Sequence, residues 1–356
     1  MSDTKSASPS ASTSTSEAAS EPNASVDRRT LAKVGVGLVA ALVLIYLFGR
    51  VIGWGEITSA LGEANLWWVV PACLSSLVCL VVWTKSWDVI LGVLGVDIPF
   101  RSLVPIYFAA TFADYVTPFG KAGGGPFIAY VLSTDDRASY QESLAGVVTA
   151  DLLNLLPFFT FAGVGFVALT ATGSLPSRAD ALVLGLAVLA FVLPGLLFLS
   201  WRKEALVRRT VVRIVSPIAA RTDRVSVDSA RHRVVDFYRR LDVIAEHPRT
   251  LAYTLVFAYT GWVFFAAPLY LAGRSLGVPL DPLLVLFIVP ASTLAGVTPT
   301  PGGLGGIEAA VVALLVALTP TAPSAAAAVA LLYRIASYWF VVAVAGLAAL
   351  YEVYTH

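Results

Sequence analysis

With 356 residues, 57% of them hydrophobic and 13% charged, and a mean hydropathy of +0.79, the chain has far more apolar surface than a water-soluble domain can bury. This excludes a soluble globular protein and predicts an integral, multi-pass protein of the cell membrane. The net charge of +1 hides an asymmetry, because residues 202–249 hold twelve Arg or Lys against six Asp or Glu, and such a segment is expected in the cytoplasm. No nucleic-acid partner and no cofactor are expected. The two cysteines, Cys73 and Cys79, fall in one apolar run and make no disulfide framework or thiolate metal site. None of the three histidines, His232, His247 and His356, falls in a span, so intramembrane chemistry of the paired-histidine kind is not expected.

In chain order, residues 1–30 read as a disordered Ser/Thr/Ala-rich cytoplasmic tail, followed by a polytopic membrane domain over 31–351. The first span, Leu31 to Val51, runs outward as an anchor, with Arg28, Arg29 and Lys33 holding its start inside. An amphipathic element from Gly55 to Asn65 lies at the outer surface, and Trp67 and Trp68 mark the interface. The second span begins near Leu66 and runs inward to Thr84 or on to Gly95. An apolar arm then meets a break at "TPFGKAGGGP", and its second arm, Phe127 to Ser133, is too short to cross a bilayer. The stretch from Ala138 to Thr170, expected to kink or divide at Pro157, leads outward, and residues 181–200 return. A basic connector, 201–250, carries an amphipathic helix around Val225 to Ala245. Residues 251–273 cross outward, an arm from Pro282 to Val297 approaches a second break, and Ala325 to Tyr351 returns the chain to the cytoplasm. Both termini are therefore expected inside.

The second break, "TPTPGGLGGIE" at 298–308, sets two prolines, four glycines and a carboxylate within apolar sequence. Pro299 and Pro301 lack backbone donors, while Gly302, Gly303, Gly305 and Gly306 permit dihedrals and approaches that side chains forbid. Broken backbone at membrane depth is tolerated only where protein buries it or a wet cavity faces it, which marks a candidate site. Close helix packing by small residues is the alternative. The following arm, Ile307 to Leu318, reaches only about 18 Å against a hydrocarbon core of about 30 Å.

The two breaks resemble each other. Thr117-Pro118 precedes Thr298-Pro299, Gly124-Gly125 precedes Gly305-Gly306 and Ala129 precedes Ala310, all by 181 positions; Gly95-Val96 precedes Gly277-Val278 by 182, and Asp151 precedes Arg334 by 183. The spans before the two breaks enter from opposite sides. The expected fold is thus all-α, with two inverted-topology repeats over 66–170 and 251–351, each carrying a Pro/Gly-broken helical hairpin, an architecture of alternating-access transporters.

Ionisable residues inside spans are functional candidates because of their cost there. Glu308, in the first turn after the break, serves either as a cap or in a site. Arg334, within "LLYRIASYW", offers a planar fork for a phosphate or a partner for Glu308. Lys121 in the first break faces a phosphate or snorkels to the cytoplasm. Free backbone donors near Gly124 and Gly305 add anion affinity, and Asp151 completes the group. Asp114 and Asn154 are weaker candidates. The pairs Tyr338 and Trp339, and Tyr259 and Trp262, read as core or interface residues rather than a substrate cage.

The runs "PTPGGLGGIEAAVVALL" and "AVALLYRIASYWFVVAVAG" resemble the membrane region of lysylphosphatidylglycerol synthases and related stand-alone flippase-like proteins. That family's Pro-Gly-Gly-x-Gly-x-x-Glu run and Tyr-Arg pair fall here on Pro301, Gly302, Gly303, Gly305, Glu308, Tyr333 and Arg334. The resemblance implies movement of lipids or lipid-linked intermediates with anionic or isoprenoid-linked head groups between leaflets, and in archaea an association with glycosyltransferases of lipid-linked glycan assembly. Where many members carry Gly-Glu and Glu-Arg pairs in the first half, this chain has Gly125-Pro126 and Ala150-Asp151. These residues hold no counterpart of the aminoacyl-transferase domain, so synthesis of lysyl lipid is not expected. A flippase-like transporter leads; the alternatives are a nonenzymatic partner of a lipid-modifying or glycosylation enzyme, and an intramembrane transferase using Glu308 as acid or base.

Overall fold

The computed structural model describes residues 53–117, 140–171 and 246–355 apart from 297 and 299, with isolated positions between 43 and 50 and between 192 and 243. The expected first span, most of the first break with Lys121 and Gly124, the return span 181–200 and most of the basic connector lie outside these residues. The described part is helical, with no strand. The elements are α1 (Trp54–Gly62), α2 (Val69–Val93, after a 3-10 turn at Leu66–Trp68), α3 (Phe100–Val116), α4 (Tyr140–Ala171), α5 (Pro248–Ser275), α6 (Pro282–Leu294), α7 (Gly306–Leu318), α8 (Pro323–Arg334) and α9 (Phe340–Thr355). A π-helical turn, Ile335–Trp339, joins α8 to α9.

Five helical stretches among the described residues are long and apolar enough to cross a membrane: Leu66–Val93, Gly146–Ala171, Pro248–Ser275, Pro301–Leu318 and Pro323–Glu352. Their surface supports the same conclusion. On α2, the exposed apolar residues Val70, Leu74, Val78 and Val81 recur every three to four positions, one face of a helix turned to lipid. Several starts are set by proline, which has no donor to lose at the first turn: Pro248, Pro282 and Pro323 sit there. Asp281 completes the start of α6 by accepting from Leu283 N at 2.7 Å and Leu284 N at 3.3 Å.

α2 and α5 pack side by side and antiparallel. Asn65 N donates to Ser275 O at 2.8 Å, Ser75 Oγ to Phe264 O at 2.8 Å and Ser86 Oγ to Thr254 O at 3.3 Å, a ladder in which one number rises as the other falls. Two further pairings cross between the early and late parts of the chain: α3 lies against α9, and α6 against α4. Glycines make both contacts close. A Cβ on Gly165 of α4 would stand 2.5 Å from Phe287 Cβ, and one on Gly346 of α9 would stand 3.1 Å from the Phe112 ring.

Two apolar cores result. One joins the later part of α4 to α5, α6, α7 and α8, and contains Phe158, Trp262, Phe287 and Leu315. The other joins α2, α3, the beginning of α4 and α9 around Trp87, Ile90, Tyr107 and Val341. Leu304 and Tyr338, with Tyr115 and Val342 packed on them, form a third small cluster. α4 runs undivided through Pro157, which corrects the expected division there: its neighbours α5 and α6 pack along it and hold it together, and proline is tolerated within a membrane helix where packing supports the freed backbone.

Candidate functional site

The break between α6 and α7 is a compact knot of backbone. α6 ends at Leu294, Gly302, Gly303 and Gly305 take φ of 56°, 66° and 85°, and α7 starts at Gly306. These left-handed angles favour glycine, and space excludes anything larger. A Cβ on Gly302 would lie 2.0 Å from a Tyr338 ring carbon, one on Gly303 would lie 2.6 Å from Gly296 Cα, and one on Gly306 would lie 2.5 Å from Ala295 O. Thr300 Oγ1 donates to Leu304 O at 2.9 Å and lies 2.7 Å from Thr298 Oγ1.

At the start of α7, Glu308 turns back on the break. Its Oε2 accepts from Gly305 N at 2.7 Å, which satisfies a donor that the helix itself leaves open. Its Oε1 accepts from Arg334 Nε at 2.8 Å. Arg334 Nη2 donates to Gly302 O at 2.8 Å, so one guanidinium ties the last turn of α8 to both the cap and the knot. Glu308 is 4% exposed and Arg334 6%. A desolvated pair of this kind is strongly destabilised when one member alone is removed, by about 3–5 kcal/mol, since the other is left buried without compensation.

An arginine carries five N–H donors. Two are used, and none of the other three has a protein acceptor among the described residues. The flat face of the guanidinium rests on an aromatic ring, with Cζ 4.5 Å from the Tyr338 centroid. Tyr338 stacks in turn on Tyr115 at 5.4 Å with the planes 22° apart, and its hydroxyl donates to Tyr115 O at 3.2 Å. Ser337, one position before Tyr338, is buried with its Oγ unpartnered.

Of the residues singled out from sequence, Arg334, Glu308, Gly302, Gly303, Gly305, Gly306 and Tyr333 come together here. Tyr333 is buried beside Arg334 in α8. Asp151 is half-buried on α4 and bonds neither to Arg334 nor to Glu308. Lys121 and Gly124 lie outside the described residues. Asn154 has a structural partner, accepting from Trp262 Nε1 at 2.9 Å; Tyr259 accepts from Thr160 Oγ1 at 2.9 Å. Tyr338 reads from sequence as core and turns out to touch Arg334. Its signal is the four-residue spacing from Arg334, which puts the two on one helix face. Nothing local marks Tyr115, whose contact spans 223 positions.

The fold and this centre define a polytopic helical membrane protein with a buried Arg–Glu pair beside a Pro/Gly break. Residues 33–345 match the family model described as the lysylphosphatidylglycerol synthase TM region, and the chain belongs to that family. Relatives include a UPF0104 membrane protein of Methanothermobacter thermautotrophicus, 25% identical over 89% of this chain and 93% of the relative. The UPF0104 membrane protein PH1989 of Pyrococcus horikoshii is 23% identical over 88% and 95%. The glycosyltransferase AglD of Haloferax volcanii is 28% identical over 83% of this chain and half of its own length.

Proposed function

We propose that this protein is a flippase-like transporter that moves a lipid or lipid-linked intermediate with an anionic head group between the leaflets. The observation that carries this reading is the state of Arg334: a guanidinium at membrane depth, fixed by Glu308 and Gly302, with three N–H donors that have no acceptor among the described residues. A phosphate or carboxylate oxygen fits that planar fork, and the pair with Glu308 holds the fork in place before a ligand arrives.

Transport also asks for two bodies of opposite sense, and the packing supports that reading. α2 and α5, the helices before the two breaks, run antiparallel along a ladder of hydrogen bonds. The arm before each break lies on the last helix of the other half, α3 on α9 and α6 on α4. Gly165 and Gly346, which receive Phe287 and Phe112 at those contacts, are themselves 181 positions apart, the offset of the two breaks. Inverted repeats account for all three facts. Termini and basic connector inside the cell complete the topology.

A second reading rests on a relative. The chain spans half of a protein named as a glycosyltransferase, a relation that supports service as the membrane partner of a lipid-modifying or glycosylation enzyme. Use of Glu308 as an acid or base has less support, since both of its oxygens are already hydrogen-bonded. Vesicles holding only this protein, with a head-group-labelled anionic lipid read leaflet by leaflet, separate these readings. Movement that Arg334→Ala abolishes supports transport. Movement absent from wild-type vesicles, or undiminished in Arg334→Ala, overturns it.

A further inference from the structure

Tyr338 packs on Arg334 and is itself held by Tyr115, at the end of α3. The Tyr338 ring centroid lies 4.5 Å from Arg334 Cζ, and the ring lies directly over Gly302 and stacks on Tyr115. The backbone that carries it is the π turn Ile335–Trp339. Such turns inside longer helices are rare, held by i→i+5 bonds, and concentrated at functional sites.

This turn also stands where the last helix changes partners. Before it, α8 packs on α1, α5 and α7; after it, α9 packs on α3 and α2. The segment between Arg334 and Phe340, which carries Tyr338, is the junction between those two groups. Ser337, whose buried hydroxyl has no hydrogen-bond partner, sits in the same turn.

Resting on the anion-site reading above, we propose that Tyr338 is the gate of the Arg334 site. Tyr115 latches it from the first half, and the π turn is its hinge. With the stack intact, the ring closes over the fork and the remaining N–H donors are shielded. Parting Tyr338 from Tyr115 lets the ring swing with the turn and opens the fork to a head group. A gate of this kind sets the rates of entry and exit together; a residue that only binds sets affinity, and one that only supports the fold sets neither selectively.

The test uses the full-length protein immobilised in detergent, with a short-chain phosphatidic acid as the probe and association and dissociation followed separately. Tyr115→Ala is expected to raise both rates about tenfold or more and to leave the dissociation constant within about twofold. Tyr338→Phe keeps the ring and its contact with Arg334 but loses the bond to Tyr115 O. It is expected to raise both rates about 2- to 10-fold, the range set by one net hydrogen bond. Should Tyr115→Ala fail to fold, Tyr338→Phe, which deletes one hydroxyl, decides the matter. Unchanged rates in these variants, with binding lost in Arg334→Ala, overturn the gate and leave the anion site standing. Wild-type protein that does not bind the probe, or Arg334→Ala that still does, removes the anion site and the gate with it.

Discussion

The last helices of the two regions, α4 and the run from α8 to α9, make the most instructive comparison in the molecule. Both accept an aromatic residue from the opposite half onto a glycine, Gly165 in one and Gly346 in the other. Toward their beginnings they part company. α4 continues as an undivided helix through Ala150 and the half-buried Asp151, whereas the later run carries the buried Tyr333-Arg334 and at once loosens into a π turn. Among the described residues, the Arg–Glu centre belongs to the later run. The second half holds the arginine, its carboxylate, its knot of glycines and the Tyr338 ring that packs on them, and the first half contributes Tyr115, which stacks on Tyr338.

The largest expected effect comes from unbalancing the Arg334–Glu308 centre. Glu308→Ala leaves Arg334 buried with a single backbone acceptor and should lower stability by about 3–5 kcal/mol, read as a fall in unfolding temperature of the detergent-solubilised protein. The double change Glu308→Leu with Arg334→Met removes both charges and should return stability to within about 1 kcal/mol of the wild type, without returning lipid movement. If the double variant did move lipid, the pair would be structural, and the difference between the halves would carry no function.

Next in size is a glycine comparison. Gly302→Ala forces a methyl group against the Tyr338 ring at a φ of 56°, and should cost about 1–3 kcal/mol from overpacking and strain. Gly92→Ala in α2 has nothing within 4 Å of the new methyl group and lies inside a helix, so it should be neutral or stabilise by up to about 1 kcal/mol. Equal losses at both positions would mean that the knot is not tightly packed on the last helix.

Much of this was legible in the chain because it rests on local rules. Continuous apolar runs marked α2, α5 and the α8–α9 region. Consecutive glycines after Pro299 and Pro301 marked the break, and the position of Glu308 three residues past Gly305 anticipated a bond to its backbone. Arg334 was expected to pair with Glu308 or to hold a phosphate, and the geometry realises the pair. Proline was the weaker guide at Pro157, where a kink or a division was expected and no division occurs. Pro105, Pro157, Pro268 and Pro290 all lie inside uninterrupted helices, since a missing donor among packed neighbours does not by itself divide a membrane helix. The expected division at Pro157 failed for this reason. Tyr115 and the π turn were beyond reach for another: a contact over 223 positions and an extra residue in a helical turn are set by how the halves meet, which no short window of sequence contains.

The smallest effect separates two tryptophans that face each other across the α2–α5 contact. Trp83 and Trp262 pack edge to face at 5.9 Å, yet their indole donors differ. Trp262 Nε1 donates to Asn154 O at 3.1 Å and Oδ1 at 2.9 Å, while Trp83 Nε1 is buried without a partner. Trp262→Phe gives up a bond that ties α5 to α4 and strands Asn154 Oδ1, a loss of about 0.5–1.5 kcal/mol beyond the change in ring volume. Trp83→Phe removes an unpaired donor, whose burial already costs about 1–3 kcal/mol, and this gain offsets much of the lost packing. Unfolding temperatures measured side by side should therefore fall for Trp262→Phe and stay near the wild-type value for Trp83→Phe. The reverse order would show that the bond from Trp262 to Asn154 contributes less to stability than the packing of Trp83.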